Sequence, residues 1–381
     1  MTILQEVERL APEIAKRADE IEEARRLPAD LAQSFAKAGL MRMLVPKSVG
    51  GHELSPREAV EAIEAVARID ASAAWCVMIA ATTGLTGAYL PPDLAREVFA
   101  DPMTITGGVF APMGKAVREG DEYVVDGRWK WGSGTQNCRW IVGGSVIIEN
   151  GAMRTLPNGS PDHRMMIFPA SDVEFFDTWH VTGLKGTGSV EFAVKGARVP
   201  VARSVSLIVD QPVEQGPTYR FPAFGFLAIG IAAVAGGNAA AALEDLKSLA
   251  RTKKPGGSSR SLAERGATQA AFAQAHAVLA AARAWFYATI DKAWGAAQSG
   301  AISKDIRGQL RLAATHLTRT AAESARMAYD LAGGDAVFLK SPLQRRFRDA
   351  HVATQHMMVS PNTYELTGRV LLDLETDEST L

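Results

Sequence analysis

The chain has 381 residues, of which 47% are hydrophobic and 22% are charged. These values are typical of a globular protein with two or three packed subdomains, and they exclude a disordered chain. Because 41 basic residues face 42 acidic ones, the net charge is only -1 and nothing favours a nucleic-acid partner.

Cysteine usage and the N-terminus indicate a cytoplasmic protein. Cys76 and Cys138 are too few for a disulfide framework, and their spacing is not that of a zinc site. The first residues are partly acidic where a signal peptide needs an apolar run. Residues 221–243 lack charge and match the length of a membrane span. Their apolar content is largely Ala and Gly, so we predict a buried bundle helix there and no membrane contact.

Residues 1–101 have the pattern of an N-terminal helical domain. Val7, Leu10 and Ile14 recur at the spacing of one helix face. A second helix is predicted over residues 28–38, and Gly39 ends it.

Two further helices are predicted in this domain. Ser55 and Glu58 have the spacing of a capping box, which begins one helix. Another helix follows Asp70, and the pair Pro91-Pro92 is predicted to end the helical region.

The apolar pattern changes to alternation in residues 102–205. Residues 122–131 alternate on both sides of Asp126-Gly127, a pair typical of a hairpin turn. Further short strands are predicted at 141–148, 164–168 and 192–199. Because helices flank this section on both sides, we predict a separate antiparallel, barrel-like β-domain.

Residues 206–381 are predicted to form a C-terminal four-helix bundle. Ala-rich apolar segments run over about 222–252, 260–298 and 302–332, and a fourth helix follows Ser341-Pro342. The basic turn at 251–260 is either a solvated connector or a phosphate-binding turn. The predicted fold class is therefore α+β and mostly α.

This order of domains resembles the acyl-CoA dehydrogenase superfamily, and five motifs extend the resemblance over nearly the whole chain. They are VPKSVGGHELS at 45–55, IDASAAW at 69–75, GRWKWGSG at 127–134, LAGG at 331–334 and RFRD at 346–349. Within the superfamily, the chain is more similar to the two-component flavin-dependent monooxygenases. The motifs for that branch are FAPMGKA at 110–116, WKWGSG at 129–134, TGS at 187–189 and RDAHVATQH at 348–356.

The chain departs from the dehydrogenases at the position of the catalytic base. In the commonest members, a Glu nine residues after the Arg of the Arg-Asp pair takes the substrate proton, and here that position is Met357. Other members supply a carboxylate from the first bundle helix, but residues 221–243 contain none.

The resemblance therefore implies an oxygenase component that uses reduced FMN or FAD and O₂ to oxygenate an aromatic or heteroaromatic small molecule. The chain has no GxGxxG or P-loop motif for a nicotinamide or ATP site, so the reduced flavin is expected from a separate flavin reductase. The remaining alternatives are an acyl-CoA dehydrogenase with an unusual base and a catalytically inactive family member.

The resemblance also implies site residues. The expected catalytic residues are His356 and Ser133. The expected cofactor-binding residues are Trp131, Ser133, Phe110, Pro112, Arg251, Gly333 and Gly334, and the glycine pair is expected to approach a neighbour's flavin in a homotetramer. His351 and His356 are five residues apart and do not share a helix face, so no metal site is expected.

Several of these residues also have a structural interpretation. Ser133 could simply end a strand, and Trp131, which strand alternation places on the same side as Trp129, is either core or a wall against the flavin. The pair Gly333-Gly334 could serve as a helix C-cap, and Arg251 as a cation at a helix end. Met357 and Met358 place His356 in an apolar setting that keeps its pKa near or below neutral, which suits either a base or a hydrogen-bond donor.

Overall fold

The computed structural model describes residues 1–157, 159–300 and 302–381. Its N-terminal part contains α1 (Ile3–Lys16), α2 (Ala18–Glu23), α3 (Ala29–Lys37), α4 (Pro56–Ile69), α5 (Ala71–Thr83) and α6 (Pro92–Phe99). Ser55 and Glu58 form the predicted capping box of α4. The Asp70 carboxylate accepts a hydrogen bond from the Ala73 amide at 2.8 Å, so α5 begins directly after α4.

The interpretation of Pro91-Pro92 as the end of the helical region is wrong. Pro92 is the first residue of α6 instead. A proline is tolerated there because the first amide of a helix has no intrahelical partner. Gly39 has the predicted left-handed conformation after α3, with φ of +80°.

The middle section forms one sheet. Its strands are β1 (Thr106–Glu119), β2 (Glu122–Gly132), β3 (Trp140–Glu149), β4 (Ala152–Met153), β5 (His163–Pro169), β6 (Glu174–Phe176), β7 (Val190–Pro200) and β8 (Ser204–Val205). They lie in the order β6-β7-β2-β1-β3-β5-β8, and β4 pairs with β3. The prediction of an antiparallel domain is wrong at one pair of strands: β1 and β3 are parallel, so the sheet is mixed. The chain reverses after β1 and again after β2, so β3 must run parallel to β1 when it pairs with the free edge of β1.

The predicted hairpin turn at Asp126-Gly127 is also wrong. The strand β2 runs straight through this pair, and the turn between β1 and β2 contains Gly120, whose φ is +63°. A Cβ atom at Gly127 would overlap the indole ring of Trp129. The glycine therefore makes room for a buried Trp ring rather than for a turn.

The C-terminal part contains α7 (Pro217–Arg220), α8 (Ala223–Thr252), α9 (Gly266–Ser299), α10 (Lys304–Ala332), α11 (Pro342–Ala353) and α12 (Asn362–Leu371). The long helix α8 is central and packs against α4, α5, α10 and α11. By length and composition alone, α8 and the segment Ala71–Ala88 could cross a membrane, but 89% of each apolar window is buried inside the protein. The prediction of a buried bundle helix at 221–243 agrees with this packing. The predicted fourth bundle helix is α11, which is short, with 12 residues.

Candidate active site

A cavity of about 350 Å³ lies where the helical parts meet the sheet. Its walls come from α5, the first half of β1, the end of β2, the connection between β6 and β7, the helix α8 and the segment after α11. Apolar side chains such as Met78, Ile79, Leu227 and Met357 form most of the lining. The lining contains no Asp, Glu, Lys or Arg side chain, so it carries no charge when the His356 ring is neutral.

One wall of the cavity contains a chain of hydroxyl groups, which we call the serine wall (Ser133, Ser189 and Thr187). The Ser133 Oγ atom accepts a hydrogen bond from Trp75 Nε1 at 3.1 Å and lies 2.6 Å from Ser189 Oγ. Ser189 Oγ lies 2.7 Å from Thr187 Oγ1, which donates to the Leu184 carbonyl at 2.8 Å.

The direction of these bonds follows from the number of protons. A hydroxyl has one proton to donate, and Thr187 gives its proton to a carbonyl that can only accept. Ser189 must therefore donate to Thr187, and Ser133 must donate to Ser189. Ser133 keeps a lone pair for the cavity but no free proton.

A tight turn at the end of β2 sets the orientation of Trp131. The Ser133 amide donates to the Trp131 carbonyl at 2.9 Å, and Trp131 has a left-handed φ of +66°. Trp129 is fully buried and stacks on Phe192 with 5.2 Å between ring centroids, whereas Trp131 is 60% exposed and lines the cavity. The turn breaks the strand alternation, so Trp131 does not share the buried side of Trp129. Trp131 is therefore part of the cavity wall and not a core residue.

His356 follows α11, and the centroid of its ring lies 5.8 Å from that of Trp75. The Met358 amide donates a hydrogen bond to His356 Nδ1 at 3.2 Å. Burial, and to a smaller extent the charge of Arg311, lower the pKa of His356 to about 4. His356 is therefore neutral at pH 7.

The Met358 hydrogen bond also determines the tautomer. Because Nδ1 accepts, the proton of the neutral ring is on Nε2. Within residues 1–157, 159–300 and 302–381, no group bonds to Nε2. The geometry thus favours a hydrogen-bond donor over a base among the two roles that suit this histidine.

Phe110 and Pro112 differ in position although they are two residues apart on β1. Phe110 lines the cavity and packs edge-on against Phe224, with 5.2 Å between ring centroids. Pro112 is exposed, lies where the pairing of β1 with β3 shifts, and is outside the cavity lining. A proline fits such an irregularity because it has no amide to donate. Its role in cofactor binding stays a prediction.

The remaining predicted cofactor residues lie at the ends of α8 and α10. Gly333 has a left-handed φ of +57° and ends α10, and Arg251 is exposed in the last turn of α8. Lys253 connects the two ends, since its Nζ atom donates to the Ala332 carbonyl at 2.6 Å. Arg251, Gly333 and Gly334 are not among the residues that line the cavity of this chain. Their predicted contact with a flavin stays a prediction.

Sequence reasoning missed Trp75 and Arg311 as site residues. Trp75 ends the IDASAAW motif, where a single large ring among small residues on α5 was the available signal. Arg311 lies between two leucines of α10 and is buried behind His356. Nothing in its local sequence distinguishes it from an exposed arginine.

Comparison with known proteins supports a family assignment. The family model described as "Acyl-CoA dehydrogenase, N-terminal domain" matches residues 2–90, and "Acyl-CoA dehydrogenase, C-terminal domain" matches residues 229–361. The chain is 34% identical over 362 residues to an indole-3-acetate monooxygenase of Pseudomonas putida, covering 92% of this chain and 89% of that protein. The chain belongs to the acyl-CoA dehydrogenase family.

Within this family, the chain lies among the flavin-dependent monooxygenases. It is 27% identical over 374 residues to the flavin-dependent monooxygenase, oxygenase subunit HsaA of Mycobacterium tuberculosis, covering 94% of this chain and 92% of that protein. The crystal structure of the HsaA monooxygenase from M. tuberculosis superposes with a TM-score of 0.92 at 25% identity, covering 100% of this chain and 99% of that chain. The predicted family, overall fold class and enzyme class are confirmed.

Proposed function

We propose that this flavin-dependent monooxygenase oxygenates an uncharged aromatic or heteroaromatic molecule inside the cavity. The observation that carries the proposal is the lining, in which aromatic and aliphatic side chains surround the serine wall and neutral His356 without a charged partner for a substrate. Burying an unpaired charge in such a cavity costs several kcal/mol, about the energy of a 100-fold change in affinity. Flat, uncharged rings fit these walls.

The cavity also fits a flavin ring. Trp131 and Phe110 provide aromatic surfaces, and Ser133 provides a lone pair for a ring N–H group. Reduced flavin, FMN or FAD, has a ring N–H that oxidised flavin lacks, so an acceptor at Ser133 favours the reduced form. When bound, the reduced flavin supplies the electrons that activate O₂.

The side chains of this chain contribute by excluding water and donating a hydrogen bond. Met78, Ile79 and Leu227 cover the cavity with apolar surface, which keeps water from the reacting groups. The Nε2–H group of His356 can stabilise negative charge on an oxygen atom placed against it, as donors of an oxyanion hole do. Because the neutral ring already carries this proton at pH 7, His356 can donate the hydrogen bond without first being protonated.

The dehydrogenase alternative lacks a base in the cavity. Among the described lining residues there is no carboxylate, and the position of the family's glutamate is Met357. Asp349 lies nearby in the chain, but its carboxylate accepts the Leu184 amide at 2.6 Å in a buried position.

The oxygenase component needs a separate flavin reductase as its partner, since its relatives include the oxygenase subunit of a flavin-dependent monooxygenase. A cytoplasmic homotetramer completes the proposal. Two surfaces support assembly: α9 exposes alanines together with Val278 and Trp285, each 40% exposed, and the segment after Gly334 exposes Val337, Phe338 and Leu339. In a tetramer, this segment and Arg251 would approach the phosphate side of a neighbour's flavin.

Three indoles that differ in one group test the proposed substrate class. Purified protein receives reduced flavin and O₂ with indole, indole-3-acetamide or indole-3-acetate, and product and hydrogen peroxide are quantified at pH 7.5. We expect oxygenated product from at least one uncharged indole. We expect about 100-fold lower kcat/KM for indole-3-acetate than for the amide of nearly the same shape, because its carboxylate meets no cation. Equal values for the acid and the amide would contradict the uncharged substrate class but leave oxygenation intact.

A further inference from the structure

Arg311 is a buried cation without an acidic partner. Its side chain lies on α10 and is 3% exposed. Within the described part of the chain it has no salt bridge, and its guanidinium donates only to carbonyl groups: Nη1 to that of Thr380, and Nη2 to that of Met358 at 3.2 Å. Burial lowers the pKa of Arg311 to about 10, so it stays charged at neutral pH. Keeping such a charge inside a protein is costly, which calls for a compensating role.

The carbonyl that Arg311 holds belongs to the residue that holds His356. Met358 accepts from Arg311 through its carbonyl and donates to His356 Nδ1 through its amide. The Thr363 hydroxyl also donates to this carbonyl, at 3.4 Å. Met358 is therefore bonded on both sides, and its amide has a fixed direction toward the imidazole.

We propose that Arg311 is a positioning residue for His356: it fixes Met358 so that His356 keeps its proton on Nε2 and offers it to the cavity. The mechanical part of this inference rests on the hydrogen bonds alone, whereas its consequence for catalysis rests on the donor role proposed above for His356. Tautomers of histidine are commonly set by the bond that the other ring nitrogen makes. Here the other nitrogen is bonded by an amide that Arg311 holds in place.

The electrostatic surroundings of His356 act in the same direction. The turn Met357–Val359 packs against α8, α10 and α12. The stretch of α8 up to Leu243 has no ionisable side chain, and α12 has Tyr364, Glu365 and Arg369. Before the turn, α11 carries Arg345, Arg346, Arg348, Asp349 and His351. Arg311 is the charged group among them that lowers the pKa of His356. The same cation therefore opposes protonation of the ring and orients its donor.

The test uses matched variants of two neighbouring arginines on α10. Arg311→Gln removes the charge and the guanidinium group that donates to the carbonyls of Thr380 and Met358. Arg311→Lys keeps the charge. Arg307→Gln is the control, because Arg307 contacts the carboxylate and the carbonyl of Glu378 on the same C-terminal segment but does not contact Met358.

The first readout is the ring ¹⁵N chemical shifts of His356 in histidine-labelled protein without flavin. The chain has 7 histidines, and His356→Gln identifies the signal. In the wild type we expect a neutral ring with Nε2 protonated from pH 8 down to about pH 5. In Arg311→Gln we expect a tautomer mixture and a higher pKa. Arg311→Lys should restore the low pKa, and Arg307→Gln should match the wild type.

The second readout is the fraction of O₂ that ends in product rather than hydrogen peroxide. We expect this fraction to fall about tenfold or more in Arg311→Gln, because a wrong tautomer removes the donor. Arg311→Lys should recover part of the loss.

The outcomes separate the two proposals. A wild-type His356 with its proton on Nδ1 would overturn the inference even if no variant folds. So would an unchanged tautomer and pKa in Arg311→Gln. A changed tautomer with unchanged coupling would support the positioning role of Arg311 and overturn the donor role of His356.

Discussion

The two polar regions of the cavity wall differ in how their protons are used. In the serine wall, every hydroxyl proton is already donated along the row from Ser133 to the Leu184 carbonyl. In the histidine region, Nδ1 of His356 is bonded, and the Nε2 proton has no partner in the part of the chain that the structure describes. Trp75 lies between them, since its indole N–H bonds to Ser133 and its ring lies against His356. Both regions are polar and enclosed, but only one has a donor to offer.

Closeness to a cavity does not identify a reacting group. Counting donors and acceptors does, because a buried hydroxyl with its proton committed cannot donate again without breaking a bond worth about 1 kcal/mol net. The serine wall is therefore expected to shape the site and to accept hydrogen bonds. His356 is expected to donate a hydrogen bond to the substrate's oxygen.

The largest effect is expected for His356→Ala. Removing the free donor should lower turnover to product about 100-fold or more, the usual loss when one donor of an oxyanion hole is removed. Consumption of O₂ should continue and hydrogen peroxide should replace the product. Parallel measurement of oxygen uptake, peroxide and product checks this.

His356→Gln sharpens the same prediction, because its amide can donate a hydrogen bond but cannot become a cation at mild pH. Partial recovery of product relative to His356→Ala is expected. If the Ala variant couples oxygen to product as well as the wild type does, His356 is structural and the comparison between the two regions fails.

A smaller effect is expected for Ser133→Ala, and it should appear mainly in stability and flavin binding. The change leaves Trp75 Nε1 and the acceptor side of Ser189 without their partner. Unsatisfied buried groups cost about 1–3 kcal/mol, so the free energy of unfolding should fall by that amount. The preference for reduced over oxidised flavin should also decrease, which equilibrium binding of both forms measures.

Thr187→Val is the matched control for Ser133→Ala, since it ends the same row of hydroxyls without touching Trp75. It should lower stability by a similar amount but leave the flavin preference nearly unchanged. A 100-fold loss of turnover in Ser133→Ala with normal flavin binding would give the serine wall the direct role that we assign to His356.

Local signals predicted much of the fold but not the proton positions. The capping box at Ser55 and the stop at Gly39 depend on neighbours within a few residues, so they could be read directly. The predictions at Pro91-Pro92 and Asp126-Gly127 are wrong because each pair is compatible with two local structures. A proline pair can end or begin a helix, and an Asp-Gly pair can form a turn or make room for a large side chain, so tertiary packing decides.

The site shows the same limit. Motifs predicted Ser133 and His356, and both line the cavity. The tautomer of His356 depends on Met358 and on Arg311, which lies 47 residues before Met358 in the chain. No spacing rule links residues so far apart. Likewise, the alternation that placed Trp131 beside Trp129 failed at a left-handed residue, which sequence alone rarely reveals in a tryptophan.

Asp349 links the two regions, and the effect expected there is on stability rather than on turnover. Its carboxylate holds the Leu184 amide at the base of the serine wall, and it lies on α11, the helix that leads to His356. Burial, together with the nearby buried carboxyl of Asp70, raises the pKa of Asp349 from 3.8 to about 7. The folded protein thus keeps a proton up to about pH 7, whereas the unfolded chain releases it near pH 3.8.

The sign of the pH dependence follows from this difference. Between about pH 4 and pH 7 the folded state binds more protons at Asp349 than the unfolded state, so this group makes stability fall as pH rises, by at most about 1.4 kcal/mol per pH unit. Asp349→Asn keeps an acceptor for the Leu184 amide but cannot titrate. We expect urea unfolding at pH 5, 6, 7 and 8 to show that the free energy of unfolding of the wild type falls relative to that of Asp349→Asn up to about pH 7. Above that pH, the difference between the two proteins should stay constant. The exposed Asp93→Asn should stay parallel to the wild type throughout. If Asp349→Asn also stays parallel from pH 5 to pH 7, the carboxylate is ionised in the folded protein, and the link between the serine wall and the histidine region contains a buried charge.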